Sequence, residues 1–383
     1  MAPFDRLLSP LELAPGVSLR NRIVMPPMVI WRADESAEVT DAHRRHYRQS
    51  SPGCGMVIVE ATTVSPEGRL AATQLGIFED RHVSGLRSLA EIIREASALP
   101  GIQLNHAGGK TNPEKTYGAT PLVPSVLPGA EGKVAELTEA GIERIIEAFA
   151  AGARRAVEAG FALVEIHGAH GYLGAQFLSP RTNRRTDAWG GAPGPGGGLS
   201  GRLRFLRRLV EAVGRAVDGR ALVSCRLGAA EAPSTDERQP PGSTSHLGIE
   251  EGVQAARELV EAGLDLVHVS HAGTPPLPPD PSSGFASTLQ LARPVAQEIA
   301  VPVVAVTGIT TPEEAEEALR EGYGRMIAVG RGILADPGWS AKVVSGRSGE
   351  IERCVRCEPR CFHHSDSSKC PARRRLGIGP LGE

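Results

Sequence analysis

LTEAGIERIIEAFAAGARRAVEAGFALVEIHGAHGY, residues 137–172, carries two periods back to back. From Leu137 to Ala159 the apolar residues recur at the 3.6-residue spacing of an amphipathic helix, and Thr138 stands where a side-chain oxygen can cap its first turn. After a glycine comes Ala162–Ile166 (ALVEI), a short run of the length and composition of a buried strand. A helix feeding such a strand is the repeating element of parallel α/β folds. Working outward, the same alternation continues in both directions. Strand-like runs lie at Arg22–Met25, Met56–Ala61, Ile102–His106, Leu222–Arg226, Leu266–Ser270, Val303–Val306 and Met326–Val329, and a second periodic stretch spans Gly248–Ala262. Eight strands alternating with helices is the count of a (β/α)8 TIM barrel, although a doubly wound sheet satisfies the same pattern. The expected architecture is a single α/β TIM barrel over residues 1–345, followed by a short Cys-rich, metal-binding extension over residues 346–383. Three stretches break the rhythm: Gly190–Gly201, Pro233–Ser245 and Thr274–Gly284. They read as irregular βα loops, where barrels place active sites, or equally as surface insertions.

Composition narrows the function classes. The 383 residues carry 42 Lys+Arg against 44 Asp+Glu, a net charge of −2, and only five of the cations are lysine. Acidic residues are interspersed with the arginines, so no basic face for nucleic acid is expected. No apolar run approaches the roughly 18 residues of a membrane helix. Asp5 and Glu12 stand where a signal peptide needs a basic end and an apolar stretch. The expectation is a soluble, cytoplasmic protein with no membrane partner. Of six cysteines, Cys54 and Cys225 lie far apart while Cys354, Cys357, Cys361 and Cys370 crowd together, which suggests a metal in preference to a disulfide framework.

Two nucleotide-binding look-alikes fail on context. Gly196–Gly201 fits G-x-G-x-x-G but follows a Pro/Gly loop where the motif needs a strand, and Gly109-Lys110-Thr111 would need a glycine at the position of Leu104. The strongest signal follows the fourth strand. His167 and His170, with Tyr172 two residues further on, sit at the C-terminal rim of a barrel strand. Two imidazole donors can polarise a carbonyl oxygen while a phenol delivers a proton to a neighbouring carbon. The pair could instead bind zinc, but no third ligand is nearby, or be two satisfied structural histidines.

These residues belong to a wider pattern. NRIVMPPM (Asn21–Met28), VEA (Val59–Ala61), GIQLNHAGGK (Gly101–Lys110), HGAHGYLGAQFLSPRTNRRTDAWGG (His167–Gly191) and VGR (Val329–Arg331) with Asp336-Pro337 occur in order along the chain. The chain resembles the Old yellow enzyme family of FMN-dependent ene-reductases over nearly all of the barrel. The resemblance implies FMN over the C-terminal mouth, held by backbone at Pro26, Pro27, Met28, Val29 and Ala61. Gln103 would bind the pyrimidine edge, Arg226 would stabilise the anionic reduced form, and Thr307, Gly308, Gly330 and Arg331 would hold the phosphate. It implies ping-pong hydride transfer from NADPH or NADH through flavin N5 to an α,β-unsaturated carbonyl compound. His167 and His170 would hold the substrate oxygen, Tyr172 would protonate the α-carbon, and Trp31 would form part of the substrate wall. Homo-oligomers are usual among such proteins.

Three departures qualify this. Val29 stands where many relatives place a Cys or Thr beside the flavin N5–O4 edge, Trp31 where a tyrosine is frequent, and Trp189 replaces a tyrosine before Gly190-Gly191.

The segment CVRCEPRCFHHSDSSKCP (Cys354–Pro371) resembles the cluster-binding segment of the dienoyl-CoA reductase and trimethylamine dehydrogenase branch. Its four thiolates could hold a 4Fe-4S cluster or zinc, or stay free, and the final gap looks short for the cluster enzymes. Thirteen residues follow Cys370, which leaves no room for a second flavin-binding half. The expected role is a structural clasp, or else an electron port fed by a separate electron-transfer partner. The rival readings are an iron-sulfur flavoprotein of dienoyl or amine substrates and a biosynthetic flavin dehydrogenase running the site oxidatively. From another class come a colourless barrel isomerase or a binding protein.

Overall fold

A computed structural model describes residues 4–191, 198–233, 246–273, 277, 284–357, 361 and 367–379. The chain opens with a hairpin of β1 (Leu11–Ala14) and β2 (Val17–Leu19), then β3 (Ile23–Met25), β4 (Met56–Thr63) and β5 (Leu99–Asn105). A short pair, β6 (Leu122–Val123) and β7 (Ala135–Glu136), precedes β8 (Leu163–Gly168), β9 (Leu222–Ala230), β10 (Leu266–His271), β11 (Val303–Val306) and β12 (Met326–Ala328). Strands β3, β4, β5 and β8 to β12 pair in parallel and in chain order, and β12 returns to β3 through Ile327 opposite Ile23. That closure makes the sheet a (β/α)8 barrel and rules out the doubly wound alternative.

Helices α1 (Asp41–Ser50), α2 (His82–Glu95), α3 (Glu139–Glu158), α4 (Leu173–Leu178), α5 (Leu199–Val217) and α6 (Ile249–Glu261) connect the first strands. They are followed by α7 (Ser287–Gln290), α8 (Ala292–Glu298), α9 (Pro312–Arg320), α10 (Arg331–Ala335), α11 (Trp339–Val344) and α12 (Pro371–Arg375). Thr138 caps α3 as its sequence requires, its hydroxyl accepting from Gly141 N at 3.1 Å. The outward strand faces, with Ile102, Leu104 and Ile166, pack under Phe149 and Leu206 of the helices. Inside the barrel Val24, Met56, Ile58, Leu163, Leu222, Leu266, Val304 and Met326 fill the lower half, and Leu11 and Leu19 of the hairpin plug its end. The upper half of the lumen is polar, and there the site is built.

The three irregular loops fall largely on residues outside those described, as do Gly196 and Gly197 of the glycine motif; the rest of that motif, from Gly198, forms the start of α5. Beyond residue 345 the described chain folds back on the barrel. Buried Asp336 accepts from Lys342 Nζ at 2.7 Å and from Glu352 N at 2.9 Å, while Cys370 and Ala372 pack on Ala335. Among the described residues no helix is long and apolar enough to cross a membrane.

Candidate active site

Strand register assembles the site. On β8, β9 and β10 it sets His167, Arg226 and His268 abreast; two residues lower, Gln103 on β5, Glu165 on β8 and Ser224 on β9 share a layer. Because strand side chains alternate, both layers face the lumen.

The His-x-x-His-x-Tyr stretch turns at the end of β8. His170 adopts a left-handed backbone (φ 58°) and Tyr172 caps α4, so three side chains spaced along the chain come round to one place. The rings of His167 and His170 lie 5.1 Å apart, and those of His167 and Tyr172 lie 4.8 Å apart and nearly perpendicular. Ala169 N donates to His167 Nδ1 at 3.3 Å, which leaves the ring proton on Nε2. His170 Nε2 lies 2.8 Å from Ser270 Oγ; with that hydroxyl donating, the His170 proton is on Nδ1. His167 Nε2 and His170 Nδ1 are 3.4 Å apart, so both N–H groups can aim at one oxygen.

Burial, then the positive charge of Arg226, holds both histidines well below the usual imidazole range, and they are neutral donors. Burial raises the Tyr172 phenol, with Arg226 opposing, and it keeps its proton.

Around this group stand residues that motif reading passed over. Lys110 Nζ donates to the His170 carbonyl at 2.7 Å and lies 5.4 Å from the centre of the Tyr172 ring. His271, at the end of β10, and Ala272 just after it reach the same turn: their carbonyls accept from His170 N (3.1 Å) and Gly171 N. The His271 ring is 4.8 Å from that of His170. The signal for this strand was its alternation, His268 and Ser270 on one face, inside a run taken only as apolar.

The expected FMN-binding residues ring the same mouth, and three observations fit the cofactor. Arg226 is buried, and its Nε finds no partner among the described residues. That suits a guanidinium awaiting an electron-rich group. Gln103 Nε2 donates to Glu165 Oε1 at 2.8 Å, and none of the described residues donates to its Oε1. Thr307 and Gly308, after β11, both have positive φ (102° and 83°), so the chain turns sharply at the C-terminal end of the strand, where a barrel commonly holds a phosphate.

Gly330 precedes α10, and a side chain there would meet Met28 Sδ at 3.1 Å, so the loop after β3 lies against the start of α10. Arg331 opens α10. Pro26, Pro27, Met28, Val29 and Trp31 lie on that loop after β3; Ile30 N donates to buried Glu60 Oε2, and His43 Nε2 braces Glu60 at 2.9 Å. A ladder irregularity between Val59 and Thr62 sets Ala61 apart from regular pairing, and its carbonyl is taken by Gln74 Nε2 at 2.7 Å.

Trp189 lies in the core: its ring is buried and its carbonyl accepts from Asn183 Nδ2 at 2.8 Å. At the C-terminal end Cys354 packs with Cys370, and among the described residues no three His, Cys, Asp or Glu side chains form a group that could hold a metal ion, there or at His167 and His170.

Comparison with known proteins agrees with this geometry. A family model described as NADH:flavin oxidoreductase / NADH oxidase matches residues 6–350. An NADPH dehydrogenase from Geobacillus sp. (strain WCH70) is 38% identical over 337 residues, covering 87% of this chain and 92% of that protein. An NADH oxidase from Thermoanaerobacter brockii is 37% identical over 94% of this chain, which spans 54% of its length. A solved 2-naphthoyl-CoA reductase, in complex with 2-naphthoyl-CoA, superposes with a TM-score of 0.83 at 25% identity, over 94% of this chain and 55% of its own.

Proposed function

The chain belongs to the NADH:flavin oxidoreductase / NADH oxidase family and is an FMN-dependent NAD(P)H oxidoreductase, and from that premise we propose that it reduces the activated C=C bond of an α,β-unsaturated carbonyl compound. The observation that carries this reading is the convergence of two neutral imidazole N–H groups on one point, with a protonated phenol beside them. FMN, when bound, would supply the two-electron hydride chemistry, in ping-pong order, between the nicotinamide and the substrate's β-carbon.

His167 Nε2–H and His170 Nδ1–H hold the substrate oxygen, where negative charge develops. Being neutral, they polarise it without giving up a proton. Tyr172 delivers the proton to the α-carbon. Arg226 stabilises negative charge at the flavin's N1–C2=O edge, Gln103 binds the pyrimidine, and the Thr307-Gly308 and Gly330-Arg331 backbone binds the phosphate. Trp31 lines the substrate side.

Mixing the enzyme with NADPH or NADH and then with a cyclic enone in a stopped-flow instrument tests the assignment. Tyr172→Phe is expected to slow flavin reoxidation by the enone roughly 10²–10⁴-fold while leaving flavin reduction unchanged. An unchanged reoxidation rate would remove Tyr172 as proton donor. Oxidation of a saturated ketone at a comparable rate would reverse the direction assigned.

For residues 346–383 we propose an extension appended to the 1–345 barrel, with Cys354, Cys357, Cys361 and Cys370 as ligands of zinc or a 4Fe-4S cluster. The spacing supports it, as does Arg373. This guanidinium is buried beside Cys370, and its Nε and Nη1 find no acceptor among the described residues, a deficit that an anionic thiolate centre would fill. Iron, zinc and acid-labile sulfide measured on one sample decide it: a stoichiometric metal supports the assignment, and its absence overturns it.

A further inference from the structure

Resting on the FMN reading above, we propose that Glu165 is the positioning residue for the flavin's pyrimidine edge: it holds the Gln103 amide so that its carbonyl oxygen, and not its NH2 group, is offered to the cofactor.

An amide has a donor end and an acceptor end of nearly equal size, so packing alone does not choose between its two orientations. A carboxylate accepts only. Glu165 has no solvent exposure, and its Oε1 lies 2.8 Å from Gln103 Nε2, which forces the NH2 group toward the barrel interior. The other carboxylate oxygen is tied down as well, by His268 Nδ1 at 2.9 Å and Ser224 Oγ at 3.5 Å. Glu165 is held from three strands and cannot swing away to release Gln103.

His268 completes the device as a neutral ring. The charged or titratable groups facing it are Glu165 and His167 from β8, His170 from the turn after β8 and Arg226 from β9, with His271 further along its own strand; on β11 its register partner is apolar Val304. Burial outweighs the attraction of Glu165 and holds His268 below its ordinary value, so its Nδ1–H is a fixed donor to the carboxylate. The pyrimidine edge of a flavin presents N3–H, a donor, between two carbonyl oxygens. A Gln103 amide turned the other way would set NH2 against N3–H, donor against donor.

Glu165→Gln keeps the shape of the side chain and removes only its acceptor-only character. The wild type, E165Q and H268N are loaded with isotope-labelled FMN, and the NMR resonance of flavin N3 and the FMN dissociation constant are read. In E165Q the N3 resonance is expected to move toward its value in a solvent that accepts no hydrogen bonds, with at least about a threefold loss of FMN affinity. His268→Asn retains a donor to Glu165 and is expected to leave N3 unmoved. An E165Q resonance identical to wild type would overturn the proposal, as would an equal shift in H268N, which would mark general disturbance of the cluster. A wild-type protein that binds no FMN would bring down the functional reading itself, a different result from either.

Discussion

We propose that a single side chain, at position 29, tunes the flavin. The resemblance places Val29 at the flavin N5–O4 edge, and a valine side chain donates no hydrogen bond where a hydroxyl would give the reduced flavin a stabilising contact. Val29→Thr is expected to raise the flavin midpoint potential by roughly 20–40 mV, the equivalent of about 1–2 kcal/mol for a two-electron couple, in a dye-equilibration titration. A potential that stays put would show that residue 29 does not face the flavin edge. The titrating groups of the site make a second prediction. Burial keeps His167 and His170 well below the imidazole range and lifts Tyr172, so no catalytic group changes protonation near neutrality. Flavin reoxidation by an enone should be level from about pH 6 to about pH 9 and fall above about pH 10 as the phenol ionises. A rate that falls as the pH rises through about 6.5 would mean that one of the histidines acts as a charged acid.

Elements come together through small residues as much as through large ones. Helix α6 rests on β9 at Gly252, where a β-carbon would fall well inside contact distance of the Ala229 carbonyl oxygen. Gly252→Ala must push the helix off the strand and is expected to cost about 1–3 kcal/mol, read as a lowered melting temperature; an unchanged transition would show that the helix can shift freely. Strand positions were legible in the sequence because barrel strands are buried on both faces and read as apolar runs. Their ends were less so. β5 begins at Leu99 and β9 continues to Ala230, through Pro100-Gly101 and Gly228-Ala229-Ala230, where pairing persists without β-branched residues to announce it. Polar residues within strands escaped notice for a related reason: Glu165 and His268 look like interruptions of an apolar run until register makes them neighbours.

Among the described residues, five histidines, His106, His167, His170, His268 and His271, are held below the ordinary value, with burial the leading cause and His106 lowered to about 4. Since the folded values are depressed, the unfolded chain binds more protons once the pH drops below about 6.5, and stability declines from there, for His106 down to about 4. Each such histidine contributes up to about 1.4 kcal/mol per pH unit in that window. Melting followed by circular dichroism should show a temperature that falls steeply between about pH 6.5 and pH 4.5, and a flat profile would contradict the burial of these rings. By itself the sequence determined the eight-strand alternation and the grouping of His167, His170 and Tyr172, because each is written in local period or in residues a few positions apart. Only the tertiary structure decided that the sheet closes, that Trp189 belongs to the core, that Lys110 and Ser270 brace the turn after β8, and that Glu165 meets Gln103. Those depend on register between strands, and register pairs residues as far apart as Ile23 and Ile327, which no short stretch of sequence brings together.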